Sequence, residues 1–396
     1  MKDYIALLKT HRNLSILTLA QMICYFGAWF SHMAIYTLLI ELDAPVWAIT
    51  ATAAMTFLPG FLLSPFSGAI IDKVHTKRLM LLLLGIEITT VGFLLMIDSL
   101  DWLWFLLILV FIRMGTATIY FQTEMSLLPK LLPSAELKLA NEIHSIVWSI
   151  SYTAGMAIAG FYIHAFGTTS AFIADMILYS IGFFLIAKLD LPSLVHQTTE
   201  TIFKMMKEGL LYLRQRPLVM HLMFLHACVG FTAYDALIAL LADYQYTDIL
   251  SIPLVIGLIN ASRALSLTVG PLFLSRYTNE RSLFTLLFLQ GIGIISWGAL
   301  QFHFYLGFIG IVFAGFFTTT LWSFTYTLLQ KNIDKNFYGR IVAYNDMIFC
   351  ASSTLVSIMI GFLFDLTLPL FAITIILGLL FIGSAYYWKW IQKHYM

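Results

Sequence analysis

Twelve apolar runs separated by short charged turns dominate this chain. They lie near residues 14–40, 46–71, 79–97, 102–128, 141–165, 169–187, 218–242, 252–274, 282–301, 304–330, 340–364 and 368–391. A helix of about 20 apolar residues crosses the roughly 30 Å hydrocarbon core of a bilayer. Inside hydrocarbon every backbone N–H and C=O must be satisfied within the spanning structure, so only helices and closed barrels are available. On the 20-residue ruler these runs are read as helices, so the expectation is an all-α membrane protein with 12 transmembrane helices. The first run is too long for a signal-peptide core and lacks a small-residue cleavage site; it is read as a span.

The basic residues orient these helices. Apart from Arg113 and Arg263, the other 20 of the 22 lysines and arginines fall in alternate loops or at the termini, and the opposite loops carry Glu41, Asp43, Asp98, Asp101, Asp243, Asp248 and Asp365 instead. Under the positive-inside rule both termini are cytoplasmic. The expected organisation is an N-terminal six-helix bundle over 1–187, a cytoplasmic linker over 188–217 and a C-terminal six-helix bundle over 218–396. Within the linker, Ile202, Phe203, Met206, Leu210 and Leu213 recur at helical spacing among Lys and Glu. This predicts an interfacial amphipathic helix whose lysines meet anionic lipid heads.

Other classes are excluded by composition. Only 11 % of residues are charged, against about a quarter in soluble domains. The net charge of +1 and the lack of a basic stripe argue against a nucleic-acid partner. Cys24, Cys228 and Cys350 lie inside apolar runs and read as small core residues, not as disulfides or metal ligands. No phosphate-binding loop of the Gly-x-x-x-x-Gly-Lys-Ser/Thr type is present, so the chain is not itself an ATPase. Histidines are scattered and form no His-Glu-x-x-His pattern, which disfavours a polytopic membrane enzyme; no metal or cofactor is expected.

The turn from Gly68 to Arg78 concentrates Asp72, Lys73, Lys77 and Arg78 at the end of span 2. A diluted copy follows in the second half, with Pro271 opposite Gly68, Ser275 opposite Asp72, Arg276 opposite Lys73 and Arg281 opposite Arg78. Leu127-Leu128-Pro129-Lys130 likewise pairs with Leu328-Leu329-Gln330-Lys331, and Ala140-Asn141-Glu142-Ile143 with Tyr344-Asn345-Asp346-Met347. Two parallel six-helix repeats are a recurring transporter architecture, with the substrate site at the repeat interface.

Gly68 to Arg78 resembles the loop 2-3 signature of the major facilitator superfamily, Gly-x-x-x-Asp-Arg-x-Gly-Arg-Arg. Here Lys73 replaces the first Arg, His75 the second Gly and Lys77 the third basic position. Leu8 to Arg12, Gln21 to Trp29, Leu127 to Asn141 and Lys207 to Pro217 further resemble the branch holding macrolide- and enterobactin-type exporters. The resemblance implies the twelve-helix fold with two pseudo-symmetric bundles, and a central cavity lined by spans 1, 4, 7 and 10. It also implies a cytoplasmic gate made of Gly68, Asp72, Lys73, Lys77 and Arg78, with Glu124 bonded to Lys77 or Arg78. Gly155 to Gly160 in span 5 resembles the antiporter signature Gly-Pro-x-x-Gly-Gly, with Met156 where Pro is usual and Ala159 in place of a Gly.

Intramembrane charges are functional candidates because they are costly in hydrocarbon. Arg113 and Glu124 are eleven residues apart, about 1100° of rotation and about 16 Å of rise, so they share a face without touching. Arg113 either holds an anionic substrate group or restrains Glu87; packing alone is its bland reading. Asp235, next to Tyr234 in span 7, is the first choice for proton coupling, with Arg263, beyond Asn260 in span 8, as its expected partner. Glu87 and His32 are further proton candidates. Asp175 is expected to make a structural hydrogen bond, while Glu142 and Asp346 begin helices 5 and 11 where the helix dipole favours them. Tyr25, Trp29, Tyr120, Tyr234, Trp322 and Tyr326 supply aromatic surface for an amphipathic organic solute, joined by Arg113, Arg263 and Asn260.

Together these features predict a monomeric secondary transporter of the bacterial inner membrane, working by alternating access on a small molecule. The expected reaction is proton-coupled efflux of a drug or siderophore-like compound, with membrane lipids as surroundings. The nearest alternatives are uptake, uniport or lysolipid flipping on the same fold, kept open by the altered span 5 signature.

Overall fold

Continuous apolar runs became helices throughout, and all regular structure among the described residues is helical. The protein is represented by a computed structural model that describes residues 2–133, 136–190, 202–334 and 337–396. The side chains at 2, 3, 68, 69, 72, 73, 129, 130, 138, 202, 203, 205 and 206 also lie outside the described residues. The first half comprises α1 (Lys2–Thr10), α2 (Arg12–Glu41), α3 (Val46–Lys73), α4 (Thr76–Leu94), α5 (Leu103–Leu131) and α6 (Leu137–Ala187). The second comprises α7 (Ile202–Gln215), α8 (Pro217–Ala227), α9 (Asp235–Leu240), α10 (Ile252–Leu274), α11 (Leu283–Leu300), α12 (Phe304–Phe316), α13 (Thr318–Lys331), α14 (Tyr338–Asp365) and α15 (Leu370–Tyr395).

Ten helical stretches among the described residues are long and apolar enough to cross a membrane. The longest, Leu139–Ala187, spans 49 residues, which is too long for one crossing. It breaks at Gly167, whose φ of 79° and ψ of 169° only glycine adopts without strain, and so supplies two passages. Helix α4 adds another passage, although Lys77, Arg78 and Glu87 make it less apolar. The passages among the described residues then number twelve, the count that the apolar runs predict.

Two compact units emerge. The first contains Met1–Asp43 and Phe66–Thr199, the second Ala44–Pro65 and Glu200–Met396. In the first, α2 lies along α6, and α4 packs on α5 and α6 around Leu14, Leu17, Cys24, Met80, Leu84 and Leu127. In the second, α11 packs on α12 and α15, α10 on α12, and α14 on α8, burying Trp297, Phe381 and Trp388. Close packing is the main attraction available here, because lipid tails are as apolar as leucine.

One passage of the second unit is discontinuous. After α8 the chain tightens into a 3-10 turn at Cys228–Thr232, resumes as the short α9 and widens into a π turn at Leu241–Gln245. Such a break frees backbone carbonyls, which need other donors at membrane depth. The Arg263 guanidinium provides one, donating to the Thr232 carbonyl at 2.7 Å. Farther along, Gln245 and the Tyr246 hydroxyl both donate to the carbonyl of Gln301.

Helix α7 is held at the end of the second unit. Tyr212 stacks on Phe337 at 4.5 Å, and its hydroxyl accepts the Asp334 N–H at 3.0 Å. Arg340 donates to Glu208 at 2.7 Å and Arg216 to Asp334 at 3.3 Å. Linker residues 191–201 lie outside the described residues, as do the side chains of Ile202, Phe203 and Met206 on the expected apolar face. Of the rest of that face, Leu213 is buried and Leu210 exposed.

Candidate functional site

The first unit holds its charges inside. Helices α4, α5 and α6 bring together Glu87, Arg113 and Asp175, all buried. The guanidinium lies 3.3 Å from Glu87 and 3.1 Å from Asp175, and 5.8 Å from the centroid of the Tyr179 ring. Ser31 on α2 donates a short hydrogen bond to Asp175. Two carboxylates therefore share one cation through its Nε and Nη2, while Nη1 is buried without a hydrogen-bond partner. Of the two expectations for Arg113, the contact with Glu87 is the one seen, joined by Asp175.

Glu124 has different company. Fully buried on α5, it accepts a short hydrogen bond from Tyr25 on α2 at Oε2, while Oε1 has no hydrogen-bond partner. Gln21 and Tyr120 stand beside the same carboxylate. The expected bond from Lys77 or Arg78 is not made. Lys77 donates to the Leu189 carbonyl at 2.7 Å, and Arg78 is exposed. A carboxylate in the bundle interior is out of reach of a cation whose flexible stem ends at the helix terminus. The other gate residues, Gly68, Asp72 and Lys73, lie outside the residues whose side chains are described.

Around Glu124 runs a chain of rings. His144 meets Tyr25 and Phe121 at 6.1 and 5.3 Å and is bonded to Gln21 at 2.9 Å. Trp29 packs on Tyr152 at 4.5 Å and on His32 at 5.6 Å, and His32 meets Tyr36 at 5.3 Å. Gly155 admits this arrangement, since a Cβ there would come within 2.7 Å of the Trp29 ring. Gly160 is buried on the same helix, and Met156 occupies the core.

In the second unit the site residues split into two groups. Tyr234 is buried under Arg263, at 4.9 Å, and against Trp297, at 5.1 Å. Asn260 donates to Ile256 within its own helix at 3.1 Å, leaving Oδ1 buried without a partner. Asp235 is half-buried at the start of α9. The other group lies on α8, α13 and α14, where Trp322 and Tyr326 stack at 5.2 Å with 9° between their planes. Both contact His226, which shares a 2.9 Å hydrogen bond with Thr325.

The Major Facilitator Superfamily profile matches residues 17–357. The chain belongs to this superfamily. It is 25 % identical over 225 residues to an uncharacterized MFS-type transporter, YfiS, of Bacillus subtilis (strain 168). That match spans 54 % of this chain and 52 % of the relative, about half the length of each. The fold resembles the crystal structure of the nucleoside transporter NupG, with a TM-score of 0.71 at 14 % identity over 96 % of this chain and 98 % of that one. A structure concerned with substrate recognition in proton dependent oligopeptide transporters gives a TM-score of 0.74 at 14 % identity, covering 96 % and 98 %. At such identities the likeness is one of fold. The chain thus belongs to a superfamily whose fold is that of multi-pass membrane transporters.

Sequence reasoning passed over His144 and His226 and misplaced Asp346. Each histidine was one of ten scattered along the chain, and only the tertiary contacts single these two out. Asp346 was assigned to a helix start. Helix α14 begins at Tyr338, so Asp346 lies two turns inside it, beyond the first turn where the dipole acts. Glu142 is likewise past the first turn of α6 and takes the Tyr4 hydroxyl at 2.9 Å.

Proposed function

We propose that the protein exports a small amphipathic organic compound from the cytoplasm by alternating access, coupled to proton entry, with Glu124 as the proton carrier. One observation carries this reading: a fully buried carboxylate among tyrosines, with one oxygen lacking a hydrogen-bond partner and no cation in contact among the described residues. A carboxylate in that position is costly as an anion and is relieved by binding a proton at Oε1. A gate role for Glu124 would need a cation from the loop, and Lys77 bonds the Leu189 carbonyl instead. Tyr25 links the carboxylate to the half-buried aromatic face of α2, so a change in protonation is felt where a solute would lie. The outward direction rests on the resemblance to macrolide- and enterobactin-type exporters. Asp235 is the second proton candidate, and its half-buried place at the end of the α8 to α9 break leaves it accessible to water.

The test is gradient-driven transport in proteoliposomes, using an internal pH dye and a panel of amphipathic drugs, siderophores, nucleosides, peptides and lysolipids. Glu124→Gln is expected to abolish accumulation against a gradient while preserving solute exchange at equilibrium. Undiminished accumulation by this variant, together with its loss in Asp235→Asn, transfers the role to Asp235. Equilibration without proton movement in the wild type favours uniport or lipid flipping, the reading that Met156 in the antiporter signature keeps open.

A further inference from the structure

We infer that the α8–α13–α14 face of the second unit is a recognition site for a flat organic cation, with Trp322 and Tyr326 as its aromatic platform and Asp346 as its counter-charge. The inference rests on the transporter reading and narrows its substrate class to amines, amidines or quaternary ammonium compounds with an aromatic body.

The platform is held from behind and open in front. Trp322 is 41 % exposed and Tyr326 half-buried, while His226 packs behind both at 5.6 and 5.3 Å. His226 is itself fixed by Thr325 at 2.9 Å and by Phe349 at 5.7 Å. A ring pair supported in this way presents its surface with little loss of side-chain freedom on binding.

The open side is polar. Along α13 the residues sharing the platform's face are Thr319, Ser323, Thr327 and Gln330, with Ser323 and Thr327 exposed. Lipid-facing surfaces of the same unit look different: α14 shows Leu355, Ile358 and Phe362, and α12 shows Ile309 and Val312. A membrane helix with a hydroxyl- and amide-bearing exposed face lines water, not acyl chains.

Asp346 supplies the charge. It shares one face of α14 with Phe349 and Cys350 and stands within electrostatic reach of Tyr326. Among the described residues it has no ion pair, and its one hydrogen bond is a long contact of 3.4 Å from Asn345. The Asn345 Oδ1 is buried without a partner. The nearest basic residue on the helix, Arg340, is engaged with Glu208. Glu142, which occupies the matching place in the first half, is instead satisfied by Tyr4. A carboxylate without an ion pair among the described residues, within electrostatic reach of the Tyr326 end of the aromatic platform, selects for positive charge, through direct attraction and through the ring quadrupole. The same arrangement repels carboxylate- or phosphate-bearing solutes.

Binding of ethidium, a flat cation, to the full-length protein in lipid nanodiscs tests this by fluorescence anisotropy, with empty discs as the blank. Saturable binding is expected. Asp346→Asn should weaken it by about tenfold or more and Trp322→Ala by about fivefold, the range of a desolvated charge contact and a cation–π contact. Asp346→Glu should restore most of the affinity, which separates lost charge from a damaged fold. No saturable binding above empty discs, or undiminished binding by a folded Asp346→Asn variant, overturns the inference. Transport measured in parallel keeps the two readings apart. If the wild type moves only neutral or anionic solutes, the cation site falls and the transporter reading stands. If ethidium binding depends on Asp346 while no solute of any class moves, the cation site stands and the transport reading falls.

Discussion

The two units solve the same local problem with different chemistry. When Leu127-Leu128-Pro129-Lys130 is aligned with Leu328-Leu329-Gln330-Lys331, Phe121 falls on Trp322 and Glu124 on Thr325. In the first unit Glu124 bonds Tyr25 of α2, and Phe121 lies against His144. In the second Thr325 bonds His226 of α8, and Trp322 lies against that histidine. A ring on the first passage thus meets the fourth in both units. The first unit makes the contact with a carboxylate and the second with a hydroxyl. The same contrast extends through the interiors. The first buries Glu87, Arg113, Glu124 and Asp175; the second buries Gln290, Gln301, Asn345 and Thr374. A duplicated scaffold can therefore differ inside, burying ionisable groups in the interior of one bundle and neutral polar groups in the interior of the other.

The largest expected effect comes from breaking the charged interior. Arg113→Met leaves two buried carboxylates without their cation and should cost about 3–5 kcal/mol, read as a large fall in the thermal unfolding temperature of the detergent-solubilised protein. Glu87→Gln should cost much less, because Asp175 holds the hydrogen bonds from both Ser31 and Arg113 while Glu87 makes only the ionic contact. Equal losses in the two variants would mean that the pairings carry similar weight. A neutral counterpart sharpens the comparison. Gln290 donates to the Ala314 carbonyl at 2.6 Å and accepts the Thr318 hydroxyl at 3.2 Å, so Gln290→Leu removes two buried hydrogen bonds, leaves Thr318 its 3.3 Å bond to Ala314 and should cost about 1–3 kcal/mol. An effect as large as that of Arg113→Met would erase the distinction between the charged and neutral interiors.

Much of the fold was legible in the sequence because length and hydropathy alone set the spans. Even the long helix of 137–187 was divided near its Gly167 bend, since Gly167 and the polar residues beside it interrupt the apolar run. The site was legible only as an inventory. Arg113, Glu124 and the aromatic residues were identifiable by type and depth, but their partners come from other helices at large sequence separation, Asp175 and Tyr25 among them. Rotation about each helix axis decides such pairings, and helices that are apolar nearly all round offer no hydrophobic stripe from which to read it. The break between α8 and α9 left no proline or charge run at its start, and its compensating bond from Arg263 is visible only in three dimensions.

The smallest expected effect lies at the periphery of the second unit, where α7 is tied to the turn after α13. Arg216 and Asp334 meet at 3.3 Å with side chains more than half exposed, at 56 % and 54 %. Arg340 and Glu208 meet at 2.7 Å and are less exposed, at 22 % and 37 %. Water screens both, so double-mutant cycles on thermal unfolding should return about 0.2–1 kcal/mol for each pair, with Arg216–Asp334 the lower. The stack of Tyr212 on Phe337, together with the hydroxyl that accepts the Asp334 N–H, should outweigh either. Tyr212→Ala is then expected to loosen α7 more than both charge variants combined, seen as faster amide exchange across Ile202–Gln215. If charge neutralisation frees that helix more than Tyr212→Ala does, α7 is held by electrostatics, and the view that this unit relies on aromatic contact extends only to its interior.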